Sequence, residues 1–175
     1  MHQLIALFVL LCGTNLSFAE NQLEQKIKNF LSDKKATVGV SVLMEGREIA
    51  TVNGQNQATP LAITQLLDLF LKKELFSDEY YKFLEETMIN TTTGSKKIRA
   101  LLPPTVIVGD KTGNSPRTSE GMKIADNDLA FVRLPNGKQY TIAVLVSNSY
   151  ESDEKNSQII ARISKIVYDE LSGKL

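Results

Sequence analysis

The residue types that carry most enzyme chemistry are scarce in this sequence. The chain of 175 residues has a single histidine, His2, and a single cysteine, Cys12, and both lie in an apolar run at the N-terminus. The rest of the chain can therefore build neither a Ser-His-Asp or Cys-His nucleophile nor an imidazole or thiolate metal site, and it cannot form a disulfide. Catalysis is left to serine, threonine, lysine, tyrosine or carboxylate groups, and no cofactor or metal is predicted.

The strongest candidate for chemistry is the tripeptide Lys111-Thr112-Gly113, which is followed by Asn114 and Ser115. By itself the tripeptide is typical of a strand end with a solvated lysine, a threonine on the pleat and a glycine turn. A lysine can also activate a hydroxyl group without histidine, although nothing in the spacing favours such a pair here. The hydroxyl groups available to Lys111 are those of Ser95, Thr112, Ser115 and Thr118.

The N-terminal segment predicts a signal peptide over residues 1–19. Nine apolar residues, Leu4 to Cys12, precede a polar stretch and the small-x-small site Ser17-Phe18-Ala19. Nine residues are too few to span a bilayer, so we expect a periplasmic or secreted protein with no membrane span after cleavage. Two alternatives remain, a lipid anchor on Cys12, which the bulky Leu11 before it disfavours, and a buried N-terminal helix.

Composition indicates one soluble globular domain over residues 20–175. Lysine and arginine number 20, aspartate and glutamate number 20, and 42% of the residues are hydrophobic. Because nucleic acid requires a basic surface, this charge balance argues against it as a partner.

Hydrophobic periodicity predicts the element order αββ, αα, βββα. Helices are expected over Glu20–Lys35, from Pro60, from Asp78, and over Ser152–Leu171, and strands over Ala36–Met44, Arg47–Val52, Thr105–Gly109, Asp128–Leu134 and Gln139–Ser147. Residues Asp110 to Gly113 are expected to continue the third of these strands toward an edge or a cleft. Hairpin signals such as Asn136-Gly137 favour antiparallel pairing over βαβ crossovers. The predicted fold is therefore α/β of the α+β type, an antiparallel five-stranded sheet flanked by N- and C-terminal helices.

Several stretches together resemble class A β-lactamases of the extended branch. Residues 35–57 resemble the first two strands of that family, and residues 59–174 resemble its C-terminal part. The matching stretches in the second segment are TPLAITQLLDLF, TTTGSKKIRALLPP, VGDKTGNS, EGMKIADNDLAFVRLPNGKQYTIAVLVSNSYESDEKN and IIARISKIVYDEL. The resemblance implies a β-lactamase/transpeptidase-like fold and, for the family, hydrolysis of the β-lactam amide through a serine acyl-enzyme.

The resemblance also implies that catalytic parts are missing. The family uses a nucleophile in an S-x-x-K turn, an S-D-N loop and an Ω-loop glutamate, and none of these stands between Asn56 and Thr59. Two literal S-x-x-K matches, at Ser32 and Ser152, fall at predicted helix ends and are interpreted as caps or surface residues. We therefore expect a truncated domain lacking most of the all-helical part, with residual helices over 59–102, without turnover, and with apolar surface that favours self-association.

The same resemblance assigns roles to the tripeptide segment. Lys111 and Thr112 would hold a substrate carboxylate by charge and hydroxyl, and Gly113 would let the substrate approach the strand. The backbone N–H of Asn114 would correspond to one of two oxyanion donors, and Ser115 completes the expected binding segment. The implied ligand is a β-lactam or a peptidoglycan-like small molecule, and the alternative to a truncated enzyme is a non-catalytic binding or interaction module.

Overall fold

A computed structural model gives the structure of residues 22–45, 47–52 and 58–172. The predicted signal peptide and its cleavage site lie outside the described residues, as does the junction at residues 53–57. The elements in chain order are α1 (22–31), β1 (Thr37–Met44), β2 (Arg47–Val52), α2 (Pro60–Leu71), α3 (Asp78–Ile89), a 3₁₀ helix (Ile98–Leu101), β3 (Ile107–Asn114), β4 (Lys123–Arg133), β5 (Gln139–Ser149) and α4 (Asp153–Ser172).

The five strands form one antiparallel sheet in the order β2-β1-β5-β4-β3, which confirms the predicted fold class. Strand β1 pairs with the last strand, so that Val40 lies opposite Val144. Strand β3, which carries the Lys111-Thr112-Gly113 tripeptide, pairs only with β4 and forms one edge of the sheet. One side of this strand is therefore open.

Strand β3 continues through the tripeptide to Asn114, as predicted, although it begins at Ile107 rather than Thr105. The largest differences from the prediction are the start of β4, at Lys123 rather than Asp128, and the end of α1. Polar residues open β4, and their composition suggested a loop, but several of them are buried and paired in the fold. Helix α1 ends at residue 31 rather than 35, because the Ser32 hydroxyl bonds the carbonyl of Asn29 and closes the last turn.

The main core lies between one face of the sheet and helices α1 and α4. Residues spaced along one side of each helix reach it, including Leu23 and Ile27 of α1 and Ile160, Ile163 and Val167 of α4. Opposite them lie alternate strand residues, of which the central ones are Val40, Val42, Ile142 and Val144. Apolar residues that recur every 3.6 positions in the helices and every two positions in the strands form one buried cluster, as predicted.

Helix α2 covers the other face of the sheet. The sequence Thr59-Pro60 predicts a helix start with Thr59 as the N-cap, and this is confirmed because the Thr59 hydroxyl accepts from the N–H of Ala62 at 3.1 Å. A buried polar contact then joins it to the strands, since the hydroxyls of Ser41 and Thr64 lie 3.0 Å apart and that of Thr141 donates to the Thr64 carbonyl. Strand β1 is thus buried on both faces, although its alternating sequence predicts burial of one face only.

Helices α2 and α3 share only a small cluster with the sheet. Its buried members are Phe70, Tyr81 and Phe131. Helical spacing predicts an apolar stripe on α2 made of Ile63, Leu66, Leu67, Phe70 and Leu71. The prediction is wrong at Leu66, which is 58% exposed because the helix turns Thr64 and Leu67 towards the sheet. Phe83 of α3 is 64% exposed. None of the helices within the described ranges has an apolar stretch long enough to cross a membrane.

Candidate functional site

The antiparallel register with β4 fixes the position of the tripeptide segment. Thr112 lies opposite Asp128, and Gly113 lies opposite Asn127. Because side chains alternate along a strand, Lys111 and Thr112 point to opposite faces of the sheet. A single small anion can meet both the ammonium and the hydroxyl group only where they converge, at the free edge of β3.

The side chain of Lys111 is exposed, and its charge is not neutralised by an ion pair with a described acidic group. Its ammonium group donates to the neighbouring carbonyl of Thr112 at 2.5 Å, and among the described residues it makes no ion pair. Nor does a described serine or threonine hydroxyl lie within hydrogen-bond distance of its Nζ. The positive charge therefore faces solvent at the sheet edge, where it is available to a ligand.

Thr112 is held against the loop that follows α3. Its hydroxyl donates to Thr93 Oγ1 at 3.2 Å. The next residue, Gly94, has φ of +79°, and a Cβ there would overlap the carboxylate of Asp110 and lie 2.9 Å from Thr112 Cγ2. Only glycine fits this close approach of loop and strand. The sequence predicted the loop, but not that it packs directly on the tripeptide.

Gly109 and Gly113 meet different surroundings on the same strand. A Cβ on Gly109 would overlap the ring of the buried Phe131, so this glycine is required by packing. A Cβ on Gly113 would meet no atom within 4 Å. The space beside Gly113 is therefore open, as the prediction that a ligand approaches the strand here requires.

A buried ion pair lies directly beneath the tripeptide. Arg99 Nε donates to Asp110 Oδ1 at 2.6 Å, and its guanidinium also reaches the carbonyls of Ile89 and Val108. Asp110 is fully buried, and burial raises the pKa of its carboxyl despite the opposing effect of Arg99. The pair links α3, the 3₁₀ helix and β3, so the arginine orients the strand from which Lys111 projects.

A second buried cation, Lys97, fixes the C-terminal end of β3. Lys97 is 6% exposed, and its ammonium lies 2.6 Å from Asp126 Oδ1. The same nitrogen donates to Asn114 Oδ1 at 3.0 Å and to the carbonyl of Asn127 at 3.1 Å. The side chain of Asn114 is thereby directed inward, which leaves its backbone at the strand edge. Sequence reasoning missed Lys97, since one lysine in the run Ser95–Lys97 carries no sign that it is buried.

Asp128 is the most perturbed carboxyl beneath the segment. Burial raises its pKa to about 7, and the nearby charge of Asp110 adds to this effect. The N–H of Ile98 donates to its Oδ2 at 3.0 Å and opposes the shift. A carboxyl with this pKa is about half protonated near neutral pH. The sequence placed Asp128 in a strand but gave no signal of its burial.

The hydroxyl groups near the tripeptide are engaged elsewhere. Ser115 Oγ accepts from the N–H of Ala125 at 2.8 Å and lies within bonding distance of the carbonyls of Ala125 and Pro116. Thr118 Oγ1 accepts from the N–H of Met122 at 3.3 Å. Ser95 lines a groove beside α4 that includes no residue of the tripeptide. None of these groups forms the lysine-activated nucleophile that the residue types alone allow.

The two literal S-x-x-K matches serve as helix ends, as predicted. Ser152 precedes α4, and its hydroxyl accepts from the N–H of Lys155 at 3.1 Å, which is the geometry of an N-cap. Ser32 follows α1, where its hydroxyl donates to the carbonyl of Asn29 at 2.9 Å. Each hydroxyl therefore satisfies a backbone group left open at the end of a helix.

Comparisons with known proteins identify the family of the chain. Residues 27–171 match the β-lactamase enzyme family. The chain is 52% identical over 116 residues to a β-lactamase of Bacteroides uniformis, and 41% identical over 117 residues to the β-lactamase VEB-1 of Pseudomonas aeruginosa. Each match covers 66% of this chain and 39% of the relative, so the chain spans about two fifths of their length.

A solved structure shares the fold over most of the chain. The crystal structure of a class A β-lactamase from Bacteroides cellulosilyticus superposes with a TM-score of 0.83 and 28% sequence identity. The superposition covers 89% of this chain and 99% of that one.

Proposed function

Because this chain belongs to the class A β-lactamase family, we propose that it binds the carboxylate of a β-lactam or peptidoglycan-like molecule without hydrolysing it. The family reaction is hydrolysis of the β-lactam amide through a serine acyl-enzyme. In this proposal the chain keeps the part of the site that holds the ligand and lacks the part that performs the reaction. The residues proposed to contact the ligand are Lys111, Thr112, Gly113 and Asn114, and Ser115 completes the binding segment by supporting its end.

The observation that carries the proposal is the exposed ammonium of Lys111, which projects from a strand held in place by buried ion pairs. Arg99 and Lys97 hold the two ends of the segment through buried ion pairs, so the strand needs little reordering when a ligand arrives. The open space beside Gly113 admits a ligand to the strand edge. Thr112 adds a hydroxyl group, whose proton is donated to Thr93 Oγ1 in the free protein and turns to the carboxylate when a ligand binds. Ser115, whose hydroxyl bonds backbone groups, supports the end of the strand rather than acting on the ligand.

The absence of turnover is proposed from the missing catalytic parts. In the sequence no S-x-x-K turn, S-D-N loop or Ω-loop glutamate stands at the family positions, and the short junction before α2 takes the place of the segment that would carry them. Removing the nucleophile of a serine hydrolase costs about 10⁶-fold in kcat. The Asn114 N–H would be left as one oxyanion donor without its partner from the nucleophilic serine. We expect a rate close to that of buffer.

The location proposed for the protein is the periplasm or the outside of the cell. The apolar run and small-x-small site at residues 1–19 support export, which would place the chain where β-lactams and peptidoglycan fragments occur. N-terminal sequencing of the protein recovered from its host would test this. A first residue of Glu20 is expected, and an intact Met1 would contradict it.

Hydrolysis and binding must be measured separately to test the proposal. Hydrolysis of a chromogenic cephalosporin by the full chain should remain at the buffer rate, beside an active class A enzyme as a positive control. A rate that disappears in Lys111→Ala would overturn the non-hydrolytic part, and the search for a nucleophile would then begin at Ser115. Binding of the same cephalosporin is followed by its ligand NMR signals, with a Kd of about 1 mM expected for a few polar contacts.

Matched variants locate the binding. Lys111→Ala should weaken binding about tenfold, whereas Lys138→Ala, in the exposed turn between β4 and β5, should leave it unchanged. Gly113→Ala should weaken binding without altering the melting temperature. The added methyl group contacts no protein atom and occupies the space in which the ligand is proposed to bind. Equal binding by all three variants would contradict the proposed site.

A further inference from the structure

A groove separate from the tripeptide segment lies between the end of α1, the 3₁₀ helix and the first half of α4. It has a volume of about 520 Å³ and is open to solvent on one side. Its lining includes no residue of the segment from Lys111 to Ser115. This volume lies within the range of about 300 to 1,000 Å³ that small-molecule sites occupy.

The floor of this groove is apolar. Phe30 of α1, Leu101 of the 3₁₀ helix and Ile159 of α4 contribute side chains to it. Leu101 leaves 46% of its surface exposed, although Ile159 beside it is almost fully buried. A ligand that covered Leu101 would remove this apolar surface from water, which is favourable by about 25 cal/mol per Å².

The rim of the groove carries an excess of positive charge. Lys96, Lys155 and Arg162 line it, and none of the three forms an ion pair with any described residue. A fourth cation, Lys34, pairs with Asp33 and lies 5.0 Å from the ring centre of Phe30.

The only acid in the lining does not balance these cations. Glu154 is exposed on the first turn of α4, and its carboxylate accepts from Gln158 at 3.5 Å. Three cations without ion-pair partners therefore surround an apolar floor, with one acid at the edge. Asp33, which is not in the lining, interacts electrostatically with Lys155 and offsets part of its charge. Lys96 and Arg162 keep the rim positive, and this rim beside an apolar surface is complementary to a molecule with an apolar body and a negative group.

We propose that this groove binds an amphipathic organic anion, with its apolar body on Phe30, Leu101 and Ile159 and its anionic group near Lys96, Lys155 and Arg162. A medium-chain carboxylate has this chemistry. The site is independent of the proposed β-lactam site, because no residue is shared between them.

Decanoate and its uncharged analogue decanol distinguish this site from general apolar binding. Each is titrated into the ¹⁵N-labelled full chain, and amide shifts report where it binds. Decanoate should shift the signals of Ser95, Leu101 and Ile159 and bind at least about fivefold more tightly than decanol, since one ion pair near a surface contributes up to about 1 kcal/mol. Equal affinities, or shifts confined to the exposed apolar residues of α3, would overturn the proposal.

Charge-reversal variants test the rim. Arg162→Glu and Lys155→Glu are both exposed changes and should each weaken decanoate at least about fivefold while leaving decanol unaffected. Lys138→Glu makes the same change in charge on the distant β4–β5 turn and should have no effect. Leu101→Asp should abolish binding of both probes by placing a carboxylate in the floor. Unchanged decanoate binding in the rim variants, or an equal loss in Lys138→Glu, would overturn the proposal.

Discussion

The two helical layers on the sheet differ in how completely they are packed. Helices α1 and α4 share with the strands a continuous cluster whose central side chains are fully buried. Helices α2 and α3 contribute only two buried side chains, Phe70 and Tyr81, to a cluster with Phe131. The two helices and the turn between them leave four large side chains more than half exposed, namely Leu66, Phe76, Tyr80 and Phe83. The first layer is therefore packed like the core of a domain, whereas the second leaves large apolar side chains in contact with solvent.

The tripeptide segment lies where the two layers meet, and it depends on both. Asp110 faces Arg99 beneath the strand, and Gly109 on the other face receives the ring of Phe131 from the smaller cluster. The comparison implies that changes on the side of the buried ion pairs should be costly, whereas changes to exposed residues of α3 should alter association rather than folding.

Arg99→Met should have the largest effect. It leaves the fully buried Asp110 without its cation, and removing one partner of a buried pair costs about 3 kcal/mol or more. Urea unfolding would measure the loss, with Arg162→Met as the control because that arginine is exposed and unpaired. A loss as small as that of the control would show that the ion pair contributes little to the better-packed layer.

The pH dependence of Asp128→Asn comes next. The folded carboxyl has a pKa of about 7, above its ordinary value of 3.8, so the folded state holds a proton that the unfolded state has released between these pH values. This group's contribution to stability is fully present below about pH 4 and is lost as the pH rises to about 7. Replacement by asparagine should remove a decline on the order of 2–4 kcal/mol from the stability profile.

The control for this profile is Asp78→Asn, because Asp78 is 89% exposed at the start of α3. The measured quantity is the difference between the unfolding free energies of variant and parent from pH 4 to 8. A difference for Asp128→Asn that did not change with pH would contradict the raised pKa.

Gly109→Ala should disturb the contact between the layers by about 2 kcal/mol. The added methyl group overlaps the ring of Phe131, which is fully buried and can move only by displacing Phe70. Thermal unfolding would show the loss, while Gly113→Ala on the same strand should melt within a degree or two of the parent. Equal melting temperatures for the two variants would mean that α2 and α3 can move to accommodate the ring of Phe131 at little cost in stability.

Phe83→Ser should have the smallest effect on folding, about 0.5 kcal/mol or less, since the side chain is 64% exposed. We propose that the exposed face of α2 and α3 associates with a second copy of the chain. Sedimentation of the parent should therefore show a concentration-dependent dimer that Phe83→Ser weakens. The exposed Lys82→Ser on the same helix serves as the control, and a parent that remains monomeric at all concentrations would contradict the proposal.

Residue patterns predicted the architecture because its elements follow simple periodicities. The spacing of Ile159, Ile163 and Val167 placed α4, and Asn136-Gly137 placed the last hairpin. The resemblance to class A β-lactamases, which the comparisons confirm, located the Lys111-Thr112-Gly113 segment within an edge strand. It also anticipated exposed apolar residues in the region from 60 to 102.

The supports of the segment could not be predicted, because they depend on distant charges meeting inside the fold. Lys97 and Asp126 look like ordinary surface residues in the sequence, yet each is nearly fully buried because the other neutralises it. The same polar composition led to the late start predicted for β4. The exposure of Leu66 could not be predicted either. Helical spacing identifies which side of the helix is apolar, but not how much of that side the sheet covers.

The pairing of β1 with β5 has a consequence for how the chain is made. The hairpin of β1 and β2 leaves the ribosome early, but Val40 meets Val144 only after nearly the whole chain has been synthesised. Until then the inner edge of β1 has no partner, and contacts between residues so far apart in sequence form slowly. The sheet can therefore be completed only once β5 is available, and until then the unpaired edge of β1 is open to mispairing.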